Sequence, residues 1–299
     1  MESVSIGENS VSDRCNFILA YRDTVAPRSE AQFLRPQYVV FSRLRPIWLC
    51  RRTDYGLSEL GAQPLIIGQR GALGECDRIL IKHLGIVPAY PDLLQFRPLM
   101  IHAQFGCGGA LALPISRSLR IPLVVAFHGG NATKDKHYCN VPTVFGRRLG
   151  ELKREARLFD CVSKFIRGCL VTRGFPSSTL RVIRIGVDLQ PPSERFQSAH
   201  PASILFIGRL VENGCKYLIE AARMLAATGC PIKLVVIGDG PLVSQLHTQS
   251  HGVPNVVFPG WLSSDQVRYH MQAATAVCVP SVTTQTGDAD HHDFPKAPS

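Results

Sequence analysis

The residues best placed to do chemistry stand at the ends of apolar runs. Ile204-Leu-Phe-Ile207 runs directly into Gly208-Arg209, and Glu212 follows three positions after the arginine. A continuous apolar run that stops at glycine reads as a buried parallel strand. Open α/β sheets bind ligands outside the carboxyl ends of such strands. Gly208 lets the backbone come close to a ligand, and the planar guanidinium of Arg209 matches a pair of phosphate oxygens. The same residues also suit an ordinary strand-loop-helix corner with a solvated arginine. A second turn, Gly238-Asp239-Gly240, closes the apolar run Leu234–Ile237. A dinucleotide fingerprint would need a further glycine where Val243 stands, so hydride transfer is the least favoured chemistry. A third run, Pro122–Phe127, ends in His128, a polar side chain that either bonds locally or meets a ligand.

Elements of regular length must hold these residues. Lys216–Thr228 carries apolar residues at the helical period, and Gly229 stops it. Pro241 fits the first position of a helix. Val256–Phe258 reads as a strand leading to Pro259-Gly260-Trp261-Leu262. Ser263 and Gln266 form a capping box for the helix after it, and Ala276–Val279 is a further strand. Strands and helices thus alternate from Ile204 to Val279, the pattern of half a doubly wound nucleotide-binding domain.

Towards the amino terminus, Asn16–Ala20 and Pro46–Cys50 read as strands, and Leu65–Ile67 is a short apolar segment. Leu99–Ala103 is a strand, Gln104–Gly109 a glycine-rich turn and Ala110–Leu119 a helix, so this stretch has βαβ geometry. Glu151–Phe159 reads as a helix and Cys161-Val162 as a short strand. Ser163 caps a helix over Lys164–Thr172.

Four motifs in order, I-G-R-L-V-E from Ile207, V-I-G-D-G-P from Val236, F-P-G-W-L from Phe258 and V-P-S-V from Val279, resemble the donor domain of family 4 retaining glycosyltransferases. The resemblance implies the GT-B fold, an α/β architecture of two Rossmann-like doubly wound domains. It implies a nucleotide-sugar donor bound by Gly208, Arg209, Gly238, Asp239, Gly240, Trp261 and Leu262, with Trp261-Leu262 near the nucleotide base. His102-Ala-Gln-Phe-Gly106 and Val124–Thr133 resemble the H-A-H-F-G and T-F-H-G-x-D-A-T segments of family members in polysaccharide pathways. That likeness places His128 beside the transferred sugar as the catalytic histidine, with Asn131 where aspartate is usual. Ser29-Glu30-Ala-Gln-Phe33 resembles the family's S-E-x-F stretch with one extra residue. It implies that Glu30 lies on the acceptor side, although Glu30 also suits a helix start.

Two departures stand beside these matches. The family has two residues between the positions of Glu212 and Gly214, typically both lysine, where this chain has only Asn213; Lys216 lies beyond the glycine. After Asp290 the family continues with a Gly-Leu-Pro segment and two spaced glutamates that hold ribose and sugar. This chain reads His291-His-Asp-Phe-Pro instead, which suggests a carboxyl-terminal truncation and an incomplete second domain.

A chain of 299 residues, 45% hydrophobic and 19% charged, suits a globular fold of two domains. The Pro191-Pro192 run suits a linker, giving an acceptor-side domain over 1–189 and a partial nucleotide-sugar-binding domain over 190–299. The net charge of +10 is uneven, about +11 in residues 1–190 and about −1 beyond. Such a bias suggests an anionic partner, including an anionic membrane surface, or simply an arginine-rich solvated face. No nucleic-acid-binding signature accompanies it. Ten scattered cysteines without a C-x-x-C pair suggest reduced thiols. No cofactor or metal is expected, and the simplest localisation is cytoplasmic with peripheral contact at the inner membrane face.

The sequence therefore implies a glycosyltransferase that moves sugar from a nucleotide-sugar to a saccharide or lipid-linked acceptor with retention, in exopolysaccharide or cell-surface glycan synthesis. The alternatives are a non-catalytic remnant that at most binds nucleotide, and a nucleotide-sugar epimerase.

Overall fold

The computed structural model describes residues 16–25, 34–53, 63–68, 72–88, 93, 95–133, 144–186, 202–211 and 214–282. Glu30, Glu212, Asn213 and the tail beyond Val282 lie outside them. The described residues fall into two compact units, the first over 16–132 and 144–186 and the second over 202–282 together with Thr133.

In the first unit the strands are β1 (Asn16–Tyr21), β2 (Thr24–Val25), β3 (Leu44–Cys50), β4 (Arg52–Thr53), β5 (Leu65–Ile66), β6 (Ile101–Gln104), β7 (Leu123–Phe127), β8 (Leu158–Cys161) and β9 (Leu180–Val182). Seven of them form one sheet in the order β5, β3, β1, β6, β7, β8, β9, every pair parallel. The order reverses between β1 and β6, which is the topological switch point of a doubly wound sheet. Its helices are α1 (Pro36–Val39), α2 (Ala72–Ile79), α3 (Phe105–Leu119), α4 (Gly130–Thr133), α5 (Val144–Glu155) and α6 (Lys164–Thr172), with a π-helical turn at Leu80–Leu84.

Side chains alternate across a strand, so β1 feeds two cores. Leu19 and Tyr21 join the larger core, under α3, α5 and α6, while Ile18 and Ala20 pack with Tyr38 of α1 and Trp48 on the other face. Both faces being covered explains why the strands read as continuous apolar runs. Arg148 of α5 is buried without a carboxylate partner among the described residues. It donates instead to the carbonyls of Ala110 (2.9 Å), Ile81 (2.8 Å) and Lys82 (3.0 Å), tying α3 to the π-turn.

Two expectations are corrected here. The glycine-rich stretch after β6 is not a turn before a helix: α3 begins at Phe105 and contains Gly106, Gly108 and Gly109. Tertiary packing overrides their low helix propensity, because a Cβ at Gly109 would lie 2.8 Å from both methyls of Val125. The glycines let α3 lie directly on the sheet. Likewise the helix expected over Glu151–Phe159 ends at Glu155, and Phe159 belongs to β8. Phe159 and Cys161 are fully buried on one face with Asp160 turned to the other, a period of two that a helix cannot supply.

The second unit holds β10 (Ser203–Ile207), α7 (Cys215–Ala227), β11 (Lys233–Ile237), α8 (Val243–Ser250), β12 (Val256–Gly260), α9 (Ser264–Ala273) and β13 (Ala276–Val277). Its four strands run parallel in the order β12, β11, β10, β13, again reversing beside the first strand. Phe206, Leu234 and Val236 pack beneath α7 and α8, while Leu205, Val235 and Ile237 face α9. The expected capping box is present: Gln266 N donates to Ser263 Oγ (3.4 Å) and Ser263 N to Gln266 Oε1 (3.0 Å). Pro241 stands in the turn before α8, not at its first position. No helix of the described residues is long and apolar enough to cross a membrane.

Candidate functional site

The parallel sheets gather the chemistry-bearing residues at their carboxyl edges. In the second unit, β10 exits into Gly208-Arg209, with Arg209 exposed and Leu210 buried beside it. The exits of neighbouring strands are stitched together by main-chain bonds. Gly208 N donates to Ile237 O (3.0 Å), Leu210 N to Asp239 O (2.9 Å) and Gly238 N to Gly260 O (2.9 Å).

This stitching accounts for two of the glycines. A Cβ at Gly238, whose φ is +136°, would sit 1.9 Å from Gly208 O, and one at Gly240 would sit 2.4 Å from Leu210 O. The backbone that comes close is therefore the chain's own, and these glycines need no ligand to explain them. Asp239 is exposed and turned onto its own loop, accepting from Gly240 N (2.6 Å). Leu262 packs against the core under α9, whereas Trp261 is half exposed. Of the residues expected to hold a donor, Arg209, Asp239 and Trp261 thus present exposed side chains, while the side chain of Leu262 is structural. Lys216, at the start of α7, lines a pocket of about 220 Å³ with Val211, Gly214, Pro241, Leu242 and Gln245.

In the first unit His128 follows the last residue of β7. Its Nε2 lies 2.6 Å from Gln104 Oε1; Gln104 Nε2 donates to Tyr38 Oη (2.6 Å), and Tyr38 Oη lies 2.9 Å from His102 Nδ1. The strand alternation of β6 directs His102 and Gln104 to the face that carries Tyr38, while Ile101 and Ala103 enter the larger core. The aromatic ring of Phe105 lies 4.9 Å from that of His128, and the Arg22 guanidinium sits 4.2 Å above the Phe105 ring. Phe105 has φ +66°, a left-handed conformation that is strained for a bulky residue and marks this strand-helix junction.

The electrostatics follow from burial. His128 is driven down to about 3 by desolvation, with smaller contributions from His102 and Arg22, so its imidazole is neutral at physiological pH. Desolvation lowers His102 to about 4. Asp160 shares a register row with Gln104 through Ala126, and burial pushes its carboxyl up to about 7. At the exit of β1, Asp23 forms a two-pronged ion pair with Arg51, Arg51 Nη2 donating to Oδ2 at 2.8 Å.

The sequence names His128 and the donor-side residues as candidates, and it places His102, Gln104 and Phe105 in the H-A-Q-F-G resemblance with no role of their own; Tyr38 and Asp160 carry no signal there. The alternation of Ile101-His-Ala-Gln104 signals two polar groups on one face, but nothing local signals that Tyr38 meets them. Among the described residues no group of three His, Cys, Asp or Glu side chains could hold a metal ion, and the described cysteines are free thiols.

Two Rossmann-like units in one chain, each a parallel sheet with its candidate site residues at the carboxyl edge, define the GT-B class of fold. HepE of Anabaena, solved in complex with UDP and glucose, shares that fold with a TM-score of 0.65 at 18% identity, over 90% of this chain and 75% of that one. Residues 47–191 match the family model described as Glycosyltransferase Family 4, and residues 201–288 match that of Glycosyl transferases group 1. WcaL of Salmonella typhimurium, a proposed colanic acid biosynthesis glycosyltransferase, is 28% identical over 196 residues, 63% of this chain and 47% of the relative. Its namesake in Escherichia coli K12 is 29% identical over 203 residues, 65% and 49% of the two chains. Both units thus resemble the family 4 glycosyltransferases, and the chain spans about half the length of the curated relatives it matches.

Proposed function

We propose that the protein transfers a sugar from a nucleotide-sugar to a saccharide or lipid-linked acceptor, with retention at the anomeric carbon, in the synthesis of an exopolysaccharide or another cell-surface glycan. The observation that carries this reading is the exposed Arg209 at the carboxyl edge of the second sheet, within a family match that spans both units. A nucleoside diphosphate is a leaving group that needs charge stabilisation more than a proton. A fixed cation with main-chain dipoles supplies that without a metal. Colanic acid synthesis in the name of WcaL and UDP with glucose in the HepE complex support a UDP-sugar and a polysaccharide pathway as the first to test.

The test offers UDP-glucose and UDP-galactose with a lipid-linked saccharide acceptor, with and without EDTA. Expected is an acceptor-dependent glycoside of the donor's anomeric configuration, formed equally in both conditions. Epimerised donor without any acceptor would establish the epimerase chemistry instead, and nucleotide binding without turnover would reduce the site to a binding function.

The same reading extends to an anionic bilayer surface. Parallel strands bring Arg43, Arg97, Arg120 and Arg157, all exposed, to the amino-terminal edge of the first sheet, beside Val39, Val40 and Phe41, also exposed. A basic residue close to an anionic leaflet contributes about 1 kcal/mol, so Arg43→Ala with Arg97→Ala lowers affinity for phosphatidylglycerol vesicles about thirtyfold. Co-sedimentation checks this, and equal binding to phosphatidylcholine vesicles would sink it.

A further inference from the structure

We propose that Gln104, Tyr38 and His102 are positioning residues that fix His128 as a neutral imidazole with its proton on Nε2, so that it serves the reaction as an oriented hydrogen-bonding group and not as a general acid or base. The inference rests on the proposed glycosyl transfer only for the identity of the substrate that His128 meets.

Each bond of the relay joins a donor to an acceptor, and the relay ends at His102, whose outer nitrogen Nε2 is buried with no hydrogen-bond partner among the described residues. The side-chain oxygen of Gln104 faces His128 and can only accept, which places the proton on Nε2. The amide nitrogen of Gln104 then donates to Tyr38 Oη, and the hydroxyl proton of Tyr38 is directed at His102 Nδ1. All four groups are wholly or largely buried, and Gln104 and Tyr38 are 0% and 1% exposed. A relay of aligned hydrogen bonds polarises along its length, which strengthens the Nδ1 lone pair at its far end. The Gln104 oxygen, held by the bond of its amide nitrogen to Tyr38, sets the orientation of His128 and its tautomer together.

Cationic His128 is opposed from two sides. Its proton acceptor would be Nδ1, while Arg22 and His102 act on the ring electrostatically and Phe105 covers a flank. Asp160 acts on the relay at Tyr38 and not on His128 directly. A neutral imidazole suits a reaction whose leaving diphosphate takes no proton. The other members of the relay touch no substrate and act through His128 alone.

The experiment is ¹⁵N NMR of histidine-labelled protein, with His128 and His102 assigned by His128→Asn and His102→Asn. Expected is a protonated Nε2 and an unprotonated Nδ1 on His128, unchanged between about pH 5 and pH 8. A proton on Nδ1, or a cationic ring near pH 6, overturns the proposal. Gln104→Leu is expected to give a mixture of the two tautomers and to lower kcat about tenfold with little change in KM, the signature of lost orientation. Where that variant fails to fold, Tyr38→Phe keeps the ring and frees the amide of Gln104 to rotate, with the same expected mixing. An unchanged tautomer in either folded variant also overturns it. The NMR signature does not depend on turnover, so a protein that shows the fixed tautomer and transfers no sugar disproves the proposed function and leaves the relay standing.

Discussion

Replacing Arg209 with alanine lowers kcat/KM for sugar transfer by about a hundredfold to a thousandfold, the loss typical of removing one fixed charge-stabilising donor. The physical reason lies in when the charge appears. In the bound nucleotide-sugar the diphosphate is already anionic, but the bridging oxygen gains charge only as the glycosidic bond breaks. Arg209 stands at the carboxyl edge of β10 on main chain bonded at Gly208 and Leu210 to the neighbouring strand exit, so its charge is there before that of the leaving group develops. It needs no reorganisation at the moment of reaction. Arg209→Lys keeps the charge and loses the planar fork, so less than half of the lost free energy returns. Steady-state kinetics on both variants decide the matter. A drop below about fivefold in Arg209→Ala would make the arginine an ordinary solvated side chain at a strand corner.

Gly238→Ala destabilises the second unit by about 3–5 kcal/mol, the range reserved for backbone collision and forced dihedrals. The new methyl would sit 1.9 Å from Gly208 O, and that oxygen belongs to main chain, which cannot swing aside like a side chain. The φ of +136° adds a conformational cost that only glycine escapes. Gly229→Ala is the control: its φ of +79° is also left-handed, but nothing lies within 4 Å of its Cβ. It loses about 1 kcal/mol. The two tryptophans make the measurement specific, since Trp48 is buried in the first unit and Trp261 belongs to the second. In a Trp48→Phe background, urea unfolding followed by Trp261 fluorescence reads the second unit alone. Equal midpoints for the two glycine variants would show that the strand exits separate more easily than their hydrogen bonds imply.

These predictions differ in how much of their basis is visible in the chain as a string of residues. The Gly208-Arg209 corner, the α7 period and the Ser263–Gln266 box rest on interactions within a few positions. Local spacing therefore specifies them, and the structure shows the box with both bonds made. The extent of α3 and the strand identity of Phe159 depend instead on what the sheet offers. Gly106, Gly108 and Gly109 look like a turn until the sheet is set beneath them, with Val125 against Gly109 and Tyr21 against Gly108. Asp160 carries no signal of its own in the sequence, and its burial follows from its place in β8 between β7 and β9.

The sequence by itself determined the class of fold, the alternation of strands and helices, and the residues that stand at strand ends. All of these follow from hydrophobic period and from glycine at fixed offsets. Only the tertiary structure decided what the glycines of β11's exit are for, and which groups surround His128. Tyr38 is 64 residues from His102 and 66 from Gln104, and no local pattern couples positions so far apart. Their meeting is set by the parallel register of β6 and by α1 packing on one face of the sheet. The state of His128 then follows from burial, which is a property of the assembled chain and of no segment within it.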